Sequence, residues 1–304
     1  MQSSTYRHLQ LFTLGLFALF SLKSQAQLTG QLSRYPIQSK YVSNRRVDIW
    51  QSEQKAPIKN LLIMHDGQML FQADSTWNKQ EWGVDECLDS LIQSGRIGNT
   101  IVVGIWNLYE ERHFNYFPQK PFENLSPSER EGLLKETRAG SDIPSLRKSP
   151  NSDEYLRFIF LELLPKLKQD FPLEEAQISM MGSSMGGLIS MYSALEYPEE
   201  LEAVACLSTH WPGIWRNDRN PIPNAFINYI QQKESAASLS RWYFDRGDAT
   251  LDSLYQPHQD RVDALFEKWN MDKGFKSEVF PGANHSEIAW RARLPEILNY
   301  LLAK

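Results

Sequence analysis

The chain has 304 residues, is 41% hydrophobic and 23% charged, and carries a formal net charge of -5. A length of this order buries one large core, and an acidic balance opposes a nucleic-acid partner. No C-x-x-C, H-E-x-x-H, Walker loop or dinucleotide fingerprint is present, so neither a metal nor a nucleotide cofactor is expected. Residues 1–26 have the form of a signal peptide: Arg7 in a short basic region, an apolar run over 9–22, and the small-residue site Ser24-Gln25-Ala26. The run is shorter than the roughly 20 residues that span a bilayer, and no cysteine follows it to carry a lipid. The expected organisation is thus a leader over 1–26 and a single domain over 27–304, periplasmic or secreted, with no stable membrane span. Removing Arg7 and Lys23 with no acidic residue takes the charge from -5 to -7.

Along the remaining chain, hydrophobic periodicity predicts strands at 46–50 and 60–65, a helix at 80–94, a strand at 100–106 and a helix at 153–169. There follow a strand at 177–181, a helix at 187–197, a strand at 203–208, a helix at 224–233, a strand at 241–245, a helix at 256–270, a strand at 276–280 and a helix at 287–302. Alternation of this kind predicts an α/β fold with a mostly parallel sheet covered on both faces. Two polar, proline-punctuated insertions, 119–151 and 211–240, are too long for ordinary connections. Both follow strand ends, where they are expected to wall or roof a site as lids. Cys87 and Cys206 fall in separate buried-looking segments, which predicts two free thiols.

Gly182-Ser183-Ser184-Met185-Gly186-Gly187 lies between the apolar 177–181 run and the helical pattern after it. That is the strand–turn–helix setting in which G-x-S-x-G becomes a nucleophile elbow. The phase selects Ser184, because Ser183 would need a glycine at 181 and finds Met181. The competing interpretation is a glycine-rich turn with Ser184 as a helix cap. In this architecture the acid and the histidine follow the serine. His8 lies in the leader, and His65, His113 and His210 precede any acid after Ser184, which leaves His258 and His285. His285 sits in a turn-rich loop beyond the 276–280 strand, where such sheets carry their chemistry, whereas His258 opens a helix. For the acid, Asp245 falls inside a strand and reads as a cap or ion-pair residue. Asp248 and Asp252 both lie in the loop that follows, and spacing leaves them equal.

Asp66-Gly67-Gln68 after an apolar strand, Asn107 with Arg112 and Tyr116-Phe117-Pro118, the Ser184 turn, Phe244-Asp245-Arg246-Gly247 with Thr250-Leu251-Asp252, and His285 followed by Trp290-Arg291 complete a recognisable set. Over about 45–303 it resembles the Putative esterase family of α/β-hydrolases, related to esterase D, enterochelin esterases, feruloyl and acetyl-xylan esterases and mycobacterial mycolyltransferases. The resemblance implies an α/β-hydrolase fold and a serine ester hydrolase that works through an acyl-enzyme. Thr250-Leu251-Asp252 is similar to the relatives' acid-bearing segment, which favours Asp252 over Asp248; Asp248 itself stands where relatives commonly have threonine. Some siderophore esterases of this group use only a Ser–His dyad. Asn115 stands where relatives tend to have glutamate.

The oxyanion that forms on the ester needs backbone donors, in this architecture the residue after the nucleophile and one in the loop after an early strand. Those are Met185 and Gln68, with Gly67 permitting the close approach. Arg112, Tyr116 and Trp211 are expected to line the substrate. That substrate would be a small-molecule or glycan ester, first an acetyl or feruloyl group on polysaccharide and second a siderophore lactone; a hydrolase-fold binding protein with a silent site is the alternative of another class. If the leader is cut where its small residues point, the purified native protein begins at Gln27 by intact-mass analysis, whereas a chain retaining Met1 in the membrane fraction would contradict it.

Overall fold

The computed structural model describes residues 28–137, 146, 148–215 and 219–303, so the expected signal peptide lies outside the described residues. Strands β1 (Gln31–Ile37), β2 (Arg45–Gln51), β3 (Ile58–His65), β4 (Asn99–Ile105), β5 (Gln177–Ser183), β6 (Ala203–Leu207), β7 (Arg241–Gly247) and β8 (Phe275–Phe280) form one sheet. Their order is β1-β2-β4-β3-β5-β6-β7-β8. β1 and β2 run antiparallel to their neighbours, and the six from β4 to β8 are parallel. The helices are α1 (Val84–Gln93), α2 (Arg112–Tyr116), α3 (Gln119–Glu123), α4 (Pro127–Lys135), α5 (Ser152–Arg157), α6 (Leu164–Asp170), α7 (Met185–Glu196), α8 (Ile222–Gln231), α9 (Glu234–Ala237), α10 (Gln256–Trp269) and α11 (Glu287–Leu302).

Successive side chains of a strand point to opposite faces, and here both faces are apolar. Leu61, Ile63, Met180, Trp242 and Phe244 join one core with residues of α5, α7, α8 and α10. Leu62, Met64, Met181 and Tyr243 join a second with α1 and α11. Each large side chain taken out of water contributes about 1.5–3 kcal/mol, which is why the central strands are continuous apolar runs in the sequence.

Beyond the short helices α2, α3, α4 and α9, which were not expected, two elements differ from their expectation. β1 was not expected: its residues are mostly exposed, and Pro36 breaks the strand pattern, yet an edge strand tolerates a proline that has no ladder donor. The helix expected at 153–169 is α5 and α6 joined by a π-helical segment, Phe158–Leu163. Pro165 cannot donate to the carbonyl four residues back and its ring crowds that carbonyl, so the turn before it widens. Among the described residues no helix is long and apolar enough to cross a membrane.

Both insertions are anchored at one point. α3 belongs to the first and packs on α8 of the second. The Glu196 carboxylate at the end of α7, 8% exposed, receives Lys120 from α3 and both Tyr229 and Lys233 from the second insertion. The central part of the first insertion, 138–145 and 147, and residues 216–218 of the second lie outside the described residues.

On the other face, α11 is clamped to the sheet by a buried ion pair. Arg293 donates through Nε to Asp245 Oδ2 at 2.9 Å and through Nη2 to Oδ1 at 2.7 Å. Burial pushes the Asp245 carboxyl up to about 6, against the opposing pull of the guanidinium. Removing one partner of such a pair strands the other charge in an apolar interior. Arg293→Met is therefore expected to cost about 3–5 kcal/mol in urea unfolding, with much of the loss recovered when Asp245→Leu is added. An unchanged midpoint for the single variant would show the pair to be dispensable.

Candidate active site

At the junction of β5 and α7 the chain reverses over one residue, and Ser184 takes φ 59 and ψ -121, a conformation costly for a side chain with a Cβ. Hydrogen bonds hold it there: Ser184 N donates to Leu207 O at 2.8 Å, and Ser184 O accepts from His210 N at 3.2 Å and Gly187 N at 3.0 Å. A Cβ at Gly182 would lie 2.6 Å from the Gly186 backbone, so strand and helix cross this closely only through glycine. Ser183 is buried as the last residue of β5, and Ser184 is half-exposed. Met185 opens α7, so its N–H has no partner within the helix and lies at the positive end of the helix dipole.

Beyond β7, the 3-10 turn Thr250–Leu254 carries Asp252, and beyond β8 a loop carries His285. Asp252 Oδ1 stands 2.5 Å from His285 Nδ1. Its other oxygen accepts from Ser208 Oγ at 2.6 Å and from Gly247 N at 2.7 Å. Burial pushes this carboxyl up, but the His285 hydrogen bond and charge, with the Ser208 and Gly247 donors, outweigh it and hold it below the usual carboxylate range. Ser208 Oγ in turn accepts from Trp290 Nε1 at 3.0 Å and Arg293 Nη2 at 2.9 Å. The imidazole is flanked edge-on by Trp290 and Tyr255, at 5.0 and 5.8 Å between ring centres. Asp248 points elsewhere: its Oδ1 accepts from Gly282 N at 2.7 Å and stitches the base of the histidine loop. The structure thus brings Asp252, not Asp248, to His285. His258, in the first turn of α10, meets this cluster through its backbone, whose N–H donates to Tyr255 O at 3.1 Å.

On the other side of the elbow, the turn after β3 is held by charge. Asp66, at φ 56, accepts on Oδ1 from Asn107 Nδ2 at 2.6 Å and Arg112 Nε at 2.8 Å, and on Oδ2 from Arg112 Nη2 at 2.7 Å. Burial raises the Asp66 carboxyl, and Arg112 more than offsets it, leaving it below its ordinary range. Gln68 Oε1 accepts from Asn107 N at 3.2 Å. A Cβ on Gly67 would come within 2.4 Å of the Gly104 backbone on β4. The turn also abuts the elbow, since the Cβ position of Gly186 is 3.6 Å from Asp66 Oδ2. Gln68 and Met185 therefore belong to two neighbouring turns at the same end of the sheet.

The three residues expected to line the substrate sit differently. Arg112 spends its guanidinium on Asp66. Tyr116 is fully buried, its hydroxyl accepting from Asp66 N at 3.3 Å and its ring packed 5.2 Å from His65 and 5.3 Å from Tyr155. Trp211 is fully buried as well, donating from Nε1 to Gln259 Oε1 at 2.9 Å. Large rings just past a strand end extend the core here, so neither offers a face to a ligand. The exposed aromatic of that loop is Trp215, 49% exposed and 5.8 Å from the His210 ring. Sequence reasoning missed Ser208, His210 and Tyr255 as parts of the site. His210 was set aside by chain order, and a serine or tyrosine beyond a strand carries no signal that separates it from a core residue. Among the described residues no group of His, Cys, Asp or Glu is arranged to hold a metal.

This sheet order, with a serine on the strained turn after β5 and a histidine after β8, defines an α/β-hydrolase. The chain is similar to the solved structures of a ferulic acid esterase (16% identity, 90% of this chain and 98% of that one, TM-score 0.60) and an IroE-like serine hydrolase from Shewanella oneidensis (16%, 90% and 80%, 0.62). It is also similar to the siderophore hydrolase EstA from Aspergillus nidulans (15%, 90% and 96%, 0.61). No curated protein sequence matches it. The model of the Putative esterase family matches residues 143–301, just over half of the chain. The chain belongs to that family and is a hydrolase of carboxylic esters.

Because the Arg112 guanidinium holds the Asp66 turn, Arg112→Ala is expected to lower kcat by roughly 10²-fold, the scale of a displaced oxyanion donor, with KM little changed. A raised KM at constant kcat in steady-state assays would instead make Arg112 a substrate ligand.

Proposed function

We propose that the protein is an exported serine esterase in which Ser184 is the nucleophile, His285 the general base, Asp252 the orienting acid, and the Gln68 and Met185 N–H groups the oxyanion donors. The observation that carries this is the 2.5 Å contact between Asp252 and His285, made by a buried carboxylate. A carboxylate on Nδ1 keeps the proton there and leaves Nε2 free to accept from a serine. Ser184 Oγ attacks the acyl carbon and gives its proton to His285. The carbonyl electrons shift onto oxygen and return as the alcohol leaves with that proton. Water, activated by the same imidazole, then releases the acid from the acyl-enzyme.

The substrate we favour is an acetyl or feruloyl ester on a polysaccharide, met in the periplasm or outside the cell once the leader is removed near Ala26. Full-length similarity to a ferulic acid esterase supports this, as does the exposed Trp215 beside His210, a stacking face for a sugar or aryl ring. Similarity to a siderophore hydrolase over nearly all of its length supports a siderophore lactone as the second reading. Turnover of feruloylated oligosaccharide against a cyclic catecholate lactone separates the two.

Ser184→Ala and His285→Ala are each expected to remove turnover of nitrophenyl acetate by roughly 10⁶-fold with the fold intact, while Ser183→Ala stays active. Asp252→Asn should cost about 10⁴-fold in kcat, and Asp248→Asn should keep most activity. Near-normal rates in both aspartate variants and in their double variant would reduce the relay to a Ser184–His285 dyad. An active Ser184→Ala would overturn the assignment, and the absence of any burst from the wild type would favour a silent binding protein.

A further inference from the structure

His285 is not the only titratable side chain at the nucleophile. The turn that carries Asp252 ends three residues later at Tyr255, whose N–H donates to Asp252 O at 3.0 Å. Its ring is fully buried and stands 5.8 Å from the His285 ring, and its hydroxyl lies 2.9 Å from His210 Nδ1, on the side where the Ser184 hydroxyl acts on the phenol. His210 is 5% exposed, and its own N–H donates to Ser184 O. One short turn therefore sets the acid on His285 and a phenol on Ser184, and the residue that fixes the serine backbone also fixes the phenol. A buried hydroxyl and a buried imidazole are kept in an apolar interior only when paired; here each pairs with the other.

We infer that Tyr255 is a further catalytic residue, a hydrogen-bond donor to Ser184 Oγ, and that His210 is the positioning residue that orients it; this rests on Ser184 being the nucleophile. Burial, with the charges of His285 and His113, drives His210 well below its ordinary range, so it stays neutral and adds no positive charge against the imidazolium of His285. Burial likewise keeps the Tyr255 phenol protonated. With its proton on Nδ1, His210 donates to the phenol oxygen, and the phenol hydrogen faces Ser184. As His285 removes the serine proton, Oγ gains negative charge and the phenol stabilises it. In deacylation the C–Oγ bond breaks, its electron pair returns to Oγ, and Oγ takes the proton from His285. Tyr255 lends a hydrogen bond in both steps and transfers no proton.

The test is Tyr255→Phe in the full chain, since phenylalanine keeps the packed ring and removes only the hydroxyl. Three quantities are measured: kcat and KM on nitrophenyl butyrate, the rate of Ser184 labelling by a fluorophosphonate, and the melting temperature. A hydrogen bond to a charged atom predicts that kcat and the labelling rate fall together by roughly 10–100-fold, with KM and melting temperature little changed. His210→Gln, which keeps a donor near the phenol, should retain more of both rates than His210→Ala. A labelling rate unchanged in Tyr255→Phe overturns the proposal, as does a loss of rate matched by a lowered melting temperature and a raised KM, which makes Tyr255 a packing residue. If Ser184→Ala still turns over, it is the nucleophile assignment that fails; a wild type labelled at Ser184 beside an unaffected Tyr255→Phe sinks only the role of Tyr255.

Discussion

The Asp252 carboxylate is out of contact with water, and several kcal/mol would be lost if it were buried unpaired. Its three partners come from three parts of the chain: His285 beyond β8, Ser208 beyond β6 and the Gly247 N–H at the end of β7. None of these contacts exists until the three strands are aligned, so forming the sheet and forming the site are one event. Ser208 extends the dependence to α11, where Trp290 and Arg293 donate to the same hydroxyl and Arg293 also holds Asp245. The C-terminal helix is thus joined by an unbroken chain of polar contacts to the histidine loop.

A second carboxylate, the part-buried Asp66, plays the matching part on the other side of Ser184. The two turns are built on backbone conformations that are unfavourable alone: Ser184 and Asp66 both have positive φ. Strain of that kind persists only where the surroundings over-determine it. Ser184 is held by the Leu207 carbonyl and the His210 N–H, and Asp66 by Asn107, Arg112 and Tyr116. At Ser184 the hold is backbone hydrogen bonds, whereas at Asp66 it includes charge-assisted ones, the stronger kind.

What the sequence disclosed followed from how local each signal is. The parallel strands were legible because both faces are buried, which leaves uninterrupted apolar runs such as 61–64 and 203–207. β1 was not, because an exposed edge strand containing Pro36 has neither a run nor an alternation to show. The strained turn at Ser184 was legible because the elbow demands glycines within two residues of it, and the loop at His285 because it follows a strand. Asp248 and Asp252 were equal by spacing: four residues of loop suffice to aim one carboxylate at the imidazole and the other at a backbone N–H. Arg112, Tyr116 and Trp211 were placed correctly past strand ends and given the wrong surroundings, since sequence marks where a residue leaves the sheet and not whether its side chain turns toward the core. Ser208 and Tyr255 carry their meaning only through long-range partners.

Glu196 imposes a constraint of another kind. Its single carboxylate serves α3 from one insertion and Tyr229 and Lys233 from the other, and the two insertions also pack on each other through α3 and α8. Opening either one therefore takes a partner from Glu196 and breaks the contact between α3 and α8. In hydrogen-exchange terms the two segments, though α3 ends at Glu123 and α8 begins at Ile222, are expected to open as one cooperative unit. Changes in the length or composition of one insertion are consequently felt in the other, and evolution or design that reshapes either must vary the pair together.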